Sequence, residues 1–120
     1  MKTIVVATGN AHKLEEYLEL LPGFSLRSLA DFPPMDDVDE NATTFEGNAA
    51  LKALAGFQHT NEITLADDSG IEVEALNWRP GIRSARYAPG SDTDRLRALL
   101  KAMEGQENRR ARFTLSLIHI

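Results

Sequence analysis

There is no cysteine among the 120 residues. This excludes disulfides, thiolate metal sites and a cysteine nucleophile, and it suits a reducing compartment. Aromatic residues are few, with one Trp, two Tyr and five Phe, and basic residues are not interleaved with the Tyr and Trp as a nucleic-acid surface would require. The opening run Met1-Lys2-Thr3-Ile4-Val5-Val6-Ala7-Thr8 is too short an apolar stretch for a signal peptide or a membrane span. Repeats and low-complexity tracts are also missing. These absences lead to the expectation of a cytoplasmic protein with neither a membrane nor a nucleic-acid partner. What is present is ordinary globular material, 42% hydrophobic and 26% charged, of a length that suits one domain over residues 1–120.

The net charge of −5 is unevenly spread. Residues 1–78 carry 4 Lys/Arg against 14 Asp/Glu, whereas residues 79–120 carry 9 against 4. The basic residues form no single block, so most belong to solvated faces of a helix and loops. The alternative is that an acidic, metal-carrying part and a basic, phosphate-attracting part serve one cleft.

Hydrophobic spacing lays out alternating elements. Residues 3–8 read as a buried, β-branched strand. A helix follows with Leu14, Tyr17, Leu18 and Leu21 on one face, and Pro22-Gly23 stops it. Residues 24–29 suit a second strand, and residues 30–42, with two prolines and five acids, a loop. Thr43-Thr44-Phe45-Glu46 reads as a capping box from Thr43 to Glu46, opening a helix whose inner face is Ala50, Ala53, Leu54 and Phe57. A strand over 63–66 is expected to break at Asp67-Asp68-Ser69-Gly70 and to resume over 71–75. A long loop over 76–90 leads to a helix capped by Ser91, with Leu96, Leu99, Leu100 and Met103 inward, and residues 112–120 form a last strand. Such alternation predicts an α/β fold with a mixed sheet.

Three places carry chemistry. Thr8-Gly9-Asn10-Ala11-His12-Lys13 turns from a strand into a helix N-terminus, where free N–H groups and the dipole favour an anion, with Lys13 adding a point charge. It lacks the second glycine and the Gly-Lys-Ser/Thr ending of a Walker A loop. By itself such a turn is also a plain connection. Asp67-Asp68-Ser69-Gly70 puts two carboxylates at a strand end, where adjacent residues face opposite sides: one suits Mg²⁺ and a water, the other the bracing of a turn. A simple Asx-turn is the competing reading. In the acidic loop, Asp36 and Asp37 read as solvated, while Glu40 lies close enough to the following helix to reach a metal shared with Asp68, and Lys52 faces either solvent or phosphate.

Taken in order, TGNxxK, TFEGNAxxKA, ADDSG and PGIRSARYA resemble the inosine/xanthosine triphosphate pyrophosphatase family from Ile4 to about Phe113. The resemblance implies an elongated α/β fold, a central mixed sheet flanked by helices, two lobes with a cleft and a homodimer. It also implies Mg²⁺-dependent hydrolysis of ITP, dITP and XTP to nucleoside monophosphate and pyrophosphate. Carried over by residue, Thr8, Gly9, Asn10, Ala11, His12, Lys13 and Lys52 hold the triphosphate and Ser69 touches the substrate. Asp68 is general base and metal ligand, and Glu40 the second metal contact. Two departures stand out: Gly47 replaces an acid, and Asn77-Trp78-Arg79 replaces a Gly-rich turn. The family's later Gly-Phe-Gly-Tyr-Asp-Pro and Ser-His-Arg stretches do not occur, so the expectation is a domain incomplete at its C-terminal side. The readings kept beside this one are an inactive nucleotide- or phosphate-binding remnant and a pyrophosphatase of other base specificity.

Overall fold

A computed structural model of the chain describes residues 2–8 and 11–120. Two compact units divide it: residues 1–67 with 116–120, and residues 68–115. The elements are β1 (Thr3–Val6), α1 (Ala11–Leu20), β2 (Ser25–Ser28), α2 (Phe45–Thr60), β3 (Thr64–Val73), β4 (Arg79–Pro80), α3 (Asp92–Ala102) and β5 (Ala111–His119). Short 3₁₀ turns occupy Leu29–Asp31, Glu74–Leu76 and Gly81–Arg86. β1 pairs parallel with β2 and with β3, β3 pairs antiparallel with β4, and β5 pairs with β3, so the sheet is mixed.

In the first unit both faces of β1 are covered. Val6 and Leu65 are in register and pack with Tyr17 of α1, with Ile4, Leu14, Leu21 and Leu26 around them. Val5 pairs with Thr64 in the same register, and the pleat turns them to the other face, where Gly56 of α2 meets Thr64. A Cβ on Gly56 would lie 2.7 Å from Thr64 Cγ2, so α2 approaches too closely for any larger residue. This corrects the expected inner face of α2. Asn48, Ala49, Ala53 and Gly56 are buried, whereas Leu54 and Phe57 are exposed. A close helix–strand approach selects small residues over large apolar ones. Leu18 of α1 and Leu96 and Leu100 of α3 are exposed as well; of the α3 stripe Met103 is buried.

The cap of α2 also differs by one residue. Thr44, not Thr43, is the N-cap and accepts from Gly47 N at 3.0 Å. The third helical position is then Gly47, which has no side chain to return the bond, and Glu46 serves the first turn only through its charge. A Cβ on Gly47 would lie 2.8 Å from Ala42 Cβ, so the loop packs closely against this first turn.

The second unit depends on glycine and serine. The expected break at residues 67–70 does not occur, because β3 runs unbroken from Thr64 to Val73. A Cβ on Gly70 would fall 2.2 Å from Gly81 O and 2.5 Å from Ser84 Oγ. Ser84 Oγ accepts from Ile71 N at 3.0 Å and donates to Gly81 O at 2.7 Å, tying the 3₁₀ turn to the strand. The expected loop over 76–90 therefore contains β4 and this turn. Asn77 and Trp78 both have left-handed φ values, 56° and 64°, where a Gly-rich turn would be unstrained. The Trp78 ring carries the Arg112 guanidinium 4.2 Å from its centroid, and Arg112 donates to Glu72 at 3.0 Å. Thr114 also donates to Glu72.

Two outcomes test this packing. Gly70→Ala is expected to cost about 1–3 kcal/mol, read from the denaturant midpoint, because backbone rather than a flexible side chain must shift; a loss under about 0.5 kcal/mol would contradict the close approach. Hydrogen bonds from Arg112, then Thr114, hold the Glu72 carboxyl below its ordinary value of 4.5. Their stabilisation is complete above that pH and is lost as pH falls below it. Glu72→Gln should therefore flatten the acid limb of stability against pH, and an unchanged limb would remove Glu72 from the account.

Candidate functional site

The first unit assembles two polar clusters around β1 and the first residues of β3. One is built by α1. Lys13 and Tyr17 stand one turn apart on one helix face. Both reach Asp67, which alternation along β3 places on the same face as Leu65. Lys13 Nζ lies 2.8 Å from Asp67 Oδ1, and the Tyr17 hydroxyl donates to Oδ2. Asp67 is only 8% exposed. Burial pushes its carboxyl up, but the hydrogen bonds from Lys13 and Tyr17, with the charges of Lys13 and Lys52, outweigh that and hold it below the ordinary value. Burial first, then the bond to Asp67, raises the Tyr17 hydroxyl well above the usual tyrosine range. In the trio Asp67 accepts from both Lys13 and Tyr17.

The second cluster lies along α2. Asn48, Lys52 and Gly56 are spaced by one turn, so Lys52 borders the buried row and its side chain is 23% exposed. Its ammonium is 3.3 Å from Glu40. Asn48 Oδ1 accepts from Ala42 N at 2.9 Å, and His59 Nε2 donates to Pro33 O at 2.6 Å. The acidic loop is thus fastened to one helix at Pro33, Glu40 and Ala42. Asn48 Nδ2 has no hydrogen-bond partner. Beside this loop opens a cavity of about 610 Å³, whose lining includes Thr8, Asp36, Asp37, Glu40 and Lys52. That volume is in the range of small-molecule sites. Leu29, Ala30, Met35 and Val38 give it an apolar wall.

The structure therefore brings Thr8, Glu40 and Lys52 to one cavity and Lys13 to Asp67. Gly9 and Asn10 lie outside the described residues. Ala11 and His12 are exposed at the start of α1, with His12 Nδ1 3.9 Å from Glu15. Asp68 and Ser69 follow Asp67 on β3, half-buried, in the second unit. Asp67 braces a helix and not a turn. Among the described residues no group of three or more His, Asp and Glu could by itself hold a metal ion. Sequence reasoning missed Tyr17, Asn48 and the apolar wall as parts of the site. The spacing of Lys13 and Tyr17 was the one available signal for the first.

A family model described as the Ham1 family matches residues 4–120. The chain belongs to the Ham1 family. Over 116 residues it is 46% identical to a dITP/XTP pyrophosphatase of Desulforamulus reducens, covering 92% of this chain and 58% of that protein. A dITP/XTP pyrophosphatase of Thioalkalivibrio sulfidiphilus is 48% identical, over 98% of this chain and 62% of its own length. Among solved structures, a HAM1 protein from Coxiella burnetii superposes with a TM-score of 0.92 at 35% identity, covering 100% of this chain and 64% of that one. The Staphylococcus aureus Ham1 protein gives 0.89 at 38%, covering 99% and 63%. The chain thus spans about 60% of the length of the relatives it matches. These Ham1 structures share the mixed α/β sheet flanked by helices.

The fastening of the acidic loop can be tested through Asn48. Asn48→Ala is expected to cost about 1–3 kcal/mol, since Ala42 N–H loses its buried acceptor. Hydrogen exchange should speed up over residues 33–42 more than elsewhere. Uniform exchange across α2 and the loop would show that Asn48 supports the core alone.

Proposed function

We propose that this Ham1 chain carries the Mg²⁺-dependent hydrolysis of non-standard purine nucleoside triphosphates (ITP, dITP and XTP). Water cleaves the α–β anhydride, and the products are a nucleoside monophosphate and pyrophosphate. The observation that carries this reading is the cavity lined by Thr8, Glu40 and Lys52. A Lys–Glu pair at such a cavity provides a cation for phosphate oxygens and a carboxylate for a metal in the same place. The names of the relatives agree with it.

The residues then divide the work. Thr8, Lys13 and Lys52 bind phosphate oxygens, with the helix N-terminus that opens at Ala11. Ser69 contacts the substrate. Asp68, next along β3 after the buried Asp67, takes the proton of the attacking water. Glu40 and Asp68 each carry a carboxylate of the hard oxygen type that magnesium would accept. When bound, magnesium would offset negative charge on the phosphate oxygens of the substrate. We further read the protein as a cytoplasmic homodimer that binds no nucleic acid, consistent with its acidic balance; among the described residues no helix is long and apolar enough to cross a membrane.

Asp68→Asn should leave the unfolding midpoint in place and lower pyrophosphate release from ITP by about 100-fold or more, because an amide cannot act as base. ITP binding by calorimetry should persist. Near-native turnover with unchanged metal dependence would remove Asp68 from the mechanism. ITP binding without any turnover in the parent chain would leave a nucleotide-binding remnant.

A further inference from the structure

The Lys13–Asp67–Tyr17 trio on the α1 face of β3 has a use beyond holding a helix in place. We propose that Asp67, backed by Tyr17, is a positioning residue for the Lys13 ammonium, presenting it preoriented to substrate phosphate. This rests on the reading of Lys13 as a phosphate contact.

An ammonium has three hydrogens. Asp67 Oδ1 takes one at 2.8 Å, and two remain. The Lys13 side chain is 36% exposed, so part of it stays open while its tip is anchored. A lysine stem is long and flexible, and ordering it upon binding costs rotamer entropy. An anchor inside the protein meets that cost before substrate arrives. The anchor must be fixed itself, and Tyr17 fixes it, since its hydroxyl occupies Oδ2 and leaves the carboxylate one orientation toward Lys13. Only a carboxylate can accept from both donors, one on each oxygen; an asparagine would turn its NH₂ toward one of them. The lowered carboxyl and raised phenol agree with a donor–acceptor pair that keeps its protonation at neutral pH.

A mere latch between α1 and β3 would act on stability alone, and a double-mutant cycle separates the two roles. The probe is inorganic tripolyphosphate with Mg²⁺, bound to the full chain and followed by calorimetry, with the unfolding midpoint measured for each variant. Lys13→Met is expected to weaken binding about tenfold, and Asp67→Asn about three- to tenfold. In the Lys13→Met background, Asp67→Asn should add less than about twofold, because its effect passes through a group no longer there. With ITP the Asp67→Asn loss should appear in KM more than in kcat. Should Asp67→Asn not fold, Tyr17→Phe takes its place, with an expected loss of about two- to threefold that vanishes without Lys13. A loss of equal size with and without Lys13 would overturn the positioning role while leaving Lys13 as a phosphate contact. Unchanged binding in Lys13→Met would instead remove the phosphate reading of Lys13, and this inference with it.

Discussion

Strand β3 is the constraint on which the rest depends. β1, β4 and β5 all pair with it, and its ten residues run without a break through Asp67-Asp68-Ser69-Gly70. Strand geometry then decides what each acid can do. Alternation sends Asp67 to the face that α1 covers, where it is buried and doubly bonded, and turns Asp68 the opposite way. Two adjacent carboxylates acquire different environments from the pleat alone. Asp67 is held as a buried acceptor, and Asp68 is half-buried. Gly70 completes the arrangement, because any side chain there would collide with the Gly81 carbonyl.

The second constraint is the closeness of α2 to β3. A face of Asn48, Ala49, Ala53 and Gly56 gives up much of the apolar burial that Leu54 and Phe57 could have provided. In exchange it brings Lys52 to the edge of a cavity and offers Asn48 and His59 as fastenings for the acidic loop. Loops carrying functional groups need such support from rigid elements. Glu40 is held by a helix whose own position is dictated by the contact of Gly56 with Thr64.

Much of this was legible in the sequence, for identifiable reasons. β-branched residues in β1, Pro22-Gly23 after α1 and the Ser91 cap of α3 are local signals, and each element appears where its signal lies. The signals that misled were those that depend on tertiary contact. Asp67-Asp68-Ser69-Gly70 has turn chemistry, yet pairing with neighbouring strands keeps it extended. Leu54 and Phe57 have helical periodicity, yet close packing selects the small face. Thr43 and Thr44 are both competent caps by residue type, and the structure uses Thr44. Lys52, Glu40 and Thr8, singled out by motif order, line one cavity. Tyr17 was not singled out, because a tyrosine on an apolar stripe reads as core until a buried carboxylate is found opposite its hydroxyl.

The proposed reaction is cleavage of the α–β anhydride of a purine nucleoside triphosphate. Its most direct test identifies the phosphorus products when the protein is incubated with ITP and Mg²⁺, by ³¹P NMR. The account predicts inosine monophosphate and pyrophosphate in equal amounts, formed only when metal is present. Orthophosphate with inosine diphosphate, or release that ignores the metal, would contradict it.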